Sequence, residues 1–397
     1  MKKTRLCIAN GTWQLVMLVA ALRQAREENP ADSESETHLL LYELDRNPEL
    51  EDWMSRLSLS LGSWCQIHWS RDILKLAPPD DVWPIPLASE SAKLRRSLGL
   101  EHADELWVGH LHAYAERLVL ETFPEAVVFL FEEGLDPYCL KVVRSWRTIN
   151  FWGLLKSLPA LLWTGKLAAH LTSLRLCDWR ISRRYLRRVK IMYLFLLGTF
   201  PGLQCRYPCR VRSIAPASLK SIIDEARKVD PIKQVLADIL PVPRKTVLLL
   251  SSFVIFDTLT RDDALDALAE VVTILFAKGY SVHFKTHPRG DSRFQADLHK
   301  RIGDGPFQQF EGSSALPIEL LASCLNYCAY VGATSSCLFY LSALYGSRVY
   351  SIARFLLPRL KKVGPMDDYD LAARVFPGIE SMPDANMVPF PVSEATT

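Results

Sequence analysis

The chain has 397 residues, 49% hydrophobic and 23% charged, with no low-complexity tract or repeat, enough for two or three domains with cores of their own. Basic residues outnumber acidic ones by 47 to 44, a formal net charge of +3, so no global positive field argues for a nucleic-acid partner. Nine cysteines, an odd count with no CxxC pair and no matching group at zinc spacing, read as reduced thiols of a cytoplasmic protein.

Lys2, Lys3 and Arg5, followed by the apolar run 15–22, have the outline of a secretion signal. Asn10-Gly11-Thr12-Trp13-Gln14 interrupts that outline, and Arg23 and Arg26 follow it without a cleavage site. The expectation is instead a short strand at 6–9, a turn at Asn10-Gly11 and a helix over 14–26. This β-loop-α opening is common to Rossmann-like domains, but one glycine is no dinucleotide fingerprint. Further strands are expected at 37–44, 64–70, 106–110 and 125–131, helices at 51–61, 89–98 and 113–123, and a loop at 78–86. No window offers the roughly 20 uncharged apolar residues of a membrane span.

The run 125–131 is almost uniformly apolar, as a strand buried on both faces should be. It ends in Glu132-Glu133-Gly134-Leu135-Asp136-Pro137-Tyr138. Two adjacent carboxylates in a partly buried turn at a strand end can supply a general base; a solvated acidic turn is the alternative. The stretch 150–200 is helical in pattern and bears Trp152, Trp163 and Trp179. Between Lys166 and Lys190 it carries eight basic residues against one acid, Asp178, with Arg183, Arg184, Arg187 and Arg188 densest. Basic residues beside Tyr185 and Leu186 suit an anionic membrane surface or a polyanionic glycan, or form the outer face of an ordinary helical layer.

Prolines 201, 208 and 216 break that pattern, and a second β/α series begins near 245. Strands are expected at 246–253, 281–286, 307–310, 327–332 and 348–352, and helices at 218–229, 261–278, 317–324 and 337–345. The strand at 281–286 stops at a basic tip. Pro288 cannot extend a ladder and keeps His287 out of the helical region, so Lys285, His287 and Arg289 gather at a strand's carboxyl end. Ligands of open α/β sheets sit there, and three cationic or switchable groups suggest an anion. A second such place is Gly332-Ala333-Thr334-Ser335-Ser336, a small-residue turn leading into a helix. Free N–H groups, the helix dipole and three hydroxyls favour a phosphate, whereas a simple cap needs one hydroxyl.

Glu-Glu-Gly after a strand in the first half, Lys-x-His-Pro in the second and Ser-Ser after a later strand resemble, in that order, the motifs of the bacterial sialyltransferases of GT-B fold. The nearest likeness is to the α-2,8-polysialyltransferase and lipooligosaccharide sialyltransferase families, whose work is polysaccharide biosynthesis. The resemblance implies an α/β protein of two Rossmann-like domains facing across a cleft. Residues 1–215 would hold the acceptor and the base, with the basic helical region at 150–200; 216–244 would be a linker, and 245–397 would bind a CMP-sugar.

It further implies an inverting, metal-independent transfer of sialic acid from CMP-sialic acid to a glycan hydroxyl, with no cofactor. Glu132 would be the general base and Glu133 its support. His287 would stabilise the CMP leaving group, Lys285 would lie near the cytosine, Ser335 and Ser336 would bind the phosphate, and Glu319 would hold the ribose hydroxyls. Pro288, Arg289 and Thr334 complete the donor-side candidates; Gly11, Thr12 and Gln14 are the acceptor-side ones. Many members carry Asp-Asp where this chain has Glu-Glu, which leaves the choice of base between Glu132 and Glu133 open. The protein would be cytoplasmic, peripheral on the inner membrane if the basic stretch binds lipid. CMP-Kdo or another nucleotide sugar would fit the same fold, and a non-catalytic membrane- or glycan-binding protein is the reading from a different class.

Overall fold

The computed structural model describes residues 2–30, 35–42, 47–70, 88–111, 114–135, 138, 185–199, 209–239, 241–251, 259–287, 292–359 and 379. The expected loop at 78–86, the basic stretch up to Arg184, and Pro288 and Arg289 lie outside them. The chain divides into two compact units, Met1–Ile223 and Asp224–Thr397.

In the first unit come β1 (Thr4–Ala9), α1 (Thr12–Glu28), β2 (Glu36–Leu41), α2 (Pro48–Leu61), β3 (Gln66–Trp69), α3 (Ala88–Leu98), β4 (Glu105–Val108), α4 (Tyr114–Thr122), β5 (Val127–Phe131), β6 (Val189–Leu194) and β7 (Arg210–Ser213). The strands form one sheet in the order β3-β2-β1-β4-β5-β6-β7, every pairing parallel. Crossovers of parallel strands cover both faces of a sheet, so its central strands are buried throughout. β1 and β4 are buried at every position. Leu15 to Leu22 are buried along α1, which packs on β1, β5 and α2. α2 starts three residues before its periodicity suggests. The Asn47 side chain accepts the N–H groups of Glu49 and Leu50 at 3.1 and 3.3 Å, a cap worth about 1 kcal/mol, and Pro48 takes the first turn.

β6 corrects the helical reading of 150–200 over its last residues. Val189-Lys190-Ile191-Met192-Tyr193-Leu194 is a strand that pairs with β5. Tyr193 stacks on Trp107 with ring centroids 5.5 Å apart, and Trp107 stacks on Phe129 at 4.6 Å. A short apolar run has no period that separates a buried strand from a buried helix, and here sheet pairing decides.

The division between the units falls inside α5 (Pro216–Arg227), and α6 (Asp230–Asp238) follows. The segment read as a linker therefore carries two helices. The second unit continues with β8 (Thr246–Leu250), α7 (Arg261–Ala277), β9 (Ser281–Lys285), α8 (Ser292–Ile302), β10 (Phe307–Gln309), α9 (Ile318–Leu321), β11 (Ala329–Gly332), α10 (Cys337–Tyr345) and β12 (Val349–Ser351). Its sheet, β10-β9-β8-β11-β12, is again wholly parallel. Each sheet thus reverses its strand order beside its first strand, between β1 and β4 and between β8 and β11. A switch point of this kind opens a crevice beyond the strands' carboxyl ends. Among the described residues no helix is long and apolar enough to cross a membrane.

Candidate active sites at the two switch points

In the first unit, β1 runs into Asn10-Gly11, β4 into Gly109-His110, and β5 into Glu132-Glu133. The two acids have different surroundings. Glu132 is fully buried, and its Oε2 accepts the backbone N–H of Phe195 at 2.5 Å, that of Leu196 at 3.2 Å, and the Tyr138 hydroxyl. The Tyr138 oxygen also accepts the Leu196 N–H at 2.8 Å. The first acid therefore ties the turn after β6 to the end of β5.

Glu133 is 22% exposed and meets His110, which is 15% exposed. Its Oε2 lies 2.6 Å from His110 Nε2 and also accepts the Gln14 amide. A carboxylate offers only lone pairs, so the ring nitrogen facing it carries the hydrogen. Gln14 is fixed from its other end, where Oε1 accepts the N–H of Asn10. Gly109 makes this convergence possible: a Cβ there would fall on the Gln14 amide and 2.7 Å from Glu133 Oε2. Gly134, at φ 62°, turns the chain away at once through the left-handed region that glycine enters freely. Of the acceptor-side candidates, Gln14 reaches Glu133; Gly11 supplies the turn before α1, and Thr12 is buried at the helix start.

Sequence reasoning missed two members of this cluster. His110 was read as the end of a strand, although Gly-His directly after a strand is itself a tight-turn signal. Glu116 sits in the first turn of α4, on its buried face. It is fully buried, and among the described residues neither carboxylate oxygen has a hydrogen-bond partner. Burial pushes its pKa up to about 7; His110 pulls it down, Glu133 pushes it up, and its own N–H and Arg117 pull it down more weakly.

In the second unit, Leu250 at the end of β8 stands opposite Lys285 on β9 and Gly332 on β11. Lys285 is not part of an exposed tip. It is buried, donates from Nζ to the Ser314 carbonyl at 2.9 Å, and lies 5.9 Å from the centre of the Phe310 ring. Glu319 on α9 is buried too. Burial pushes its pKa up to about 7, against the pull of its own N–H and of Lys285. Lys285 and Glu319 are thus both buried in the second unit, and His287 stands half-buried two residues beyond Lys285.

Thr334, Ser335 and Ser336 are half-buried between β11 and α10. Ser336 precedes the helix with a helical backbone and makes no side-chain cap bond, so its hydroxyl is not spent on the first turn. Ser335 Oγ lies 2.8 Å from Cys337 Sγ, a thiol whose pKa burial raises. The ends of β9 and β11 are separated by β8, about 10 Å from strand to strand, a span that a nucleotide covers.

A family model described as Alpha-2,8-polysialyltransferase (POLYST) matches residues 86–354, more than half of the chain, a span that contains both acids, His287 and the hydroxyl turn. The chain belongs to the alpha-2,8-polysialyltransferase family. Membership makes it a glycosyltransferase, an enzyme whose partners are a nucleotide-sugar donor and a glycan acceptor. No curated protein matches the sequence. Among solved structures it is similar to an MnaA–UDP structure from S. aureus, at 10% identity over 94% of this chain and 87% of that one, with a TM-score of 0.50. It is similar also to a UDP-GlcNAc 2-epimerase from Neisseria meningitidis bound to UDP-GlcNAc, at 10% identity over 94% and 90%, TM-score 0.50. At such identity the likeness is one of fold: α/β, GT-B, built from two Rossmann-like domains.

Proposed function

We propose that this member of the family transfers sialic acid from CMP-sialic acid to a glycan hydroxyl with inversion, and that Glu133, rather than Glu132, accepts the proton. The observation that carries this reading is the setting of Glu133. Both donors that hold it, His110 and Gln14, end on Oε2, and no described residue engages Oε1. Glu132 is sealed and committed to two backbone N–H groups. A base must reach the proton it takes, and Glu133 alone of the two has an oxygen open to an acceptor.

In the reaction the acceptor oxygen forms a bond to the anomeric carbon while its proton passes to Glu133 Oε1. The carbon–oxygen bond to the phosphate breaks, and its electron pair leaves with CMP. Attack opposite the leaving group inverts the centre. Donors fixed around the leaving phosphate are the main catalytic need; His287, Thr334, Ser335 and Ser336 fill that role, with Arg289 adding charge. Glu319 accepts the ribose hydroxyls, and Lys285 pulls it toward its ionised form against the effect of burial. These groups do the work of a divalent ion.

Purified protein with CMP-sialic acid and an oligosialic acceptor should release CMP and extend the acceptor, at an unchanged rate in excess chelator. Release from CMP-Kdo instead would change the donor. Activity abolished by chelator and restored by magnesium would overturn the electrostatic account, and absence of CMP binding would overturn the reading as a whole.

A further inference from the structure

Glu319 sits on a piece of chain that cannot hold itself in place. α9 has four residues, Ile318–Leu321, makes no side-chain cap bond at Pro317, and passes directly into a 3₁₀ turn at Ala322–Cys324. Four residues fall far short of what sustains a helix alone, and the last carbonyls of a helix lack intrahelical partners. Here side chains from three other elements reach them. Arg227, the last residue of α5, donates from Nε to the Leu320 carbonyl at 2.5 Å. Tyr345, the last residue of α10, donates to the carbonyl of Glu319 itself at 2.7 Å. Tyr330 on β11 donates to the Ala322 carbonyl at 3.3 Å. Arg227 Nη2 donates in turn to the Tyr345 oxygen at 3.1 Å, with its guanidinium carbon 5.9 Å from the centre of that ring. Its Nη1 donates to Asp224, one turn back on α5, at 2.9 Å. All three nitrogens are engaged, and the side chain is 14% exposed.

We propose that Arg227 and Tyr345 form a clasp that sets the position of Glu319, and through it the grip of the donor site on the ribose of its nucleotide. This deepens the reading of Glu319 as the acceptor of the ribose hydroxyls and rests on it. Glu319 touches the ligand; Arg227 and Tyr345 are positioning residues that act through it. The clasp holds two consecutive carbonyls, Leu320 directly and Glu319 by way of the Tyr345 hydroxyl. The Glu319 carboxylate accepts its own N–H, so it follows the peptide that carries it. Hydrogen bonds between oxygens form within a window of roughly 0.5 Å, so a peptide free to drift by more than that would lose the ribose.

The test measures, on the full chain, the affinity for CMP and for dideoxy-CMP, which lacks both ribose hydroxyls. The parent should prefer CMP. Tyr345→Phe keeps the ring beside the guanidinium and removes only the hydroxyl. It should weaken CMP roughly 10-fold, the scale of one charge-assisted hydrogen bond, and leave dideoxy-CMP unchanged. Arg227→Met, which keeps the length of the side chain and removes every donor, should show the same selective loss; should it fail to fold, Tyr345→Phe decides alone. Glu319→Gln should lose most of the preference for CMP, and adding Tyr345→Phe to it should cost nothing more. If Tyr345→Phe weakens both ligands alike, or neither, the clasp is overturned while Glu319→Gln still reports on the ribose. A further loss of CMP affinity in the double variant overturns it as well. A parent that binds the two ligands alike removes the ribose role of Glu319 and the inference with it, and a parent that binds neither removes the reading of function.

Discussion

The two switch points are built on the same strand order and hold opposite chemistry. The first gathers acids around a histidine: Glu133, Glu116 and His110, with Gln14 as a neutral donor. The second gathers hydroxyls and cations, His287, Thr334, Ser335 and Ser336, with Lys285 beneath. Each also contains one fully sealed glutamate raised to about 7, and the cation beside it differs. Burial raises both, against the pull of Lys285 at Glu319 and of His110 at Glu116. Strand order makes the crevice, and the residues just past the strand ends decide whether it takes a proton or an anion.

The comparison breaks most sharply at the adjacent acids. Glu133→Gln should lower kcat by roughly 10²- to 10⁴-fold with CMP affinity unchanged, the signature of a lost base. Glu132→Gln should keep much of its activity and melt earlier, because an amide cannot serve all the donors of Phe195, Leu196 and Tyr138. An inactive Glu132→Gln with an unchanged melting point would return the base to the first acid. On the other side, His287→Ala, or Ser335→Ala together with Ser336→Ala, should weaken CMP itself. A charge-assisted hydrogen bond is worth about 1.5–3 kcal/mol, or roughly 10- to 100-fold in affinity. Titration calorimetry with CMP beside a transfer assay separates the patterns, and an equal loss of CMP affinity in Glu133→Gln would erase the division of roles.

A smaller effect distinguishes the two sealed glutamates. Glu319 has a folded pKa above its ordinary 4.5, so the contribution it withholds is absent below pH 4.5 and grows as the pH rises to about 7. Glu319→Gln should therefore raise the melting point at pH 8 and leave it unchanged at pH 4. The gain is at most on the order of 3 kcal/mol, reduced because Lys285 is then left without its counter-charge. Thermal melts across that range check it; a Glu319→Gln variant that is less stable at pH 8 would mean the Lys285 pair outweighs burial.

Much of this was legible in the sequence, for reasons tied to particular residues. The strands before Glu132 and up to Gly332 are apolar runs and that of Lys285 alternates, each ended by turn residues, and ligands of parallel sheets sit just past such ends. Choosing between Glu132 and Glu133 was not legible, because the N–H groups that occupy Glu132 belong to Phe195 and Leu196, more than sixty residues on and across a sheet pairing. β6 itself was hidden for the same reason. Lys285 looked like part of a basic tip, since period-two alternation places it on the face of His287 but does not reveal the Ser314 carbonyl waiting for it. His110 and Glu116 could have been suspected from Gly109-His110 after a strand and from an acid on the apolar face of α4.

The smallest effect concerns the basic stretch, and the structure changes how it has to be tested. Arg188 is not a surface charge. It donates from Nη1 to the Leu120 carbonyl at 2.7 Å and from Nη2 to those of Phe123 and Ala126 at 2.6 and 3.2 Å, clasping the end of α4 and the turn before β5. Reversing it to glutamate should lower the melting point, and any lost membrane binding would then be indirect. Arg187 and Lys190 flank it and are exposed. If this region holds an anionic membrane surface, Arg187→Glu with Lys190→Glu should weaken sedimentation with anionic liposomes and leave the melting point and CMP affinity in place. Each basic residue near such a surface is worth about 1 kcal/mol, roughly fivefold in affinity, and screening at high salt should shrink the difference. Liposome binding unchanged at low salt would leave Arg187 and Lys190 as solvated charges beside a structural arginine.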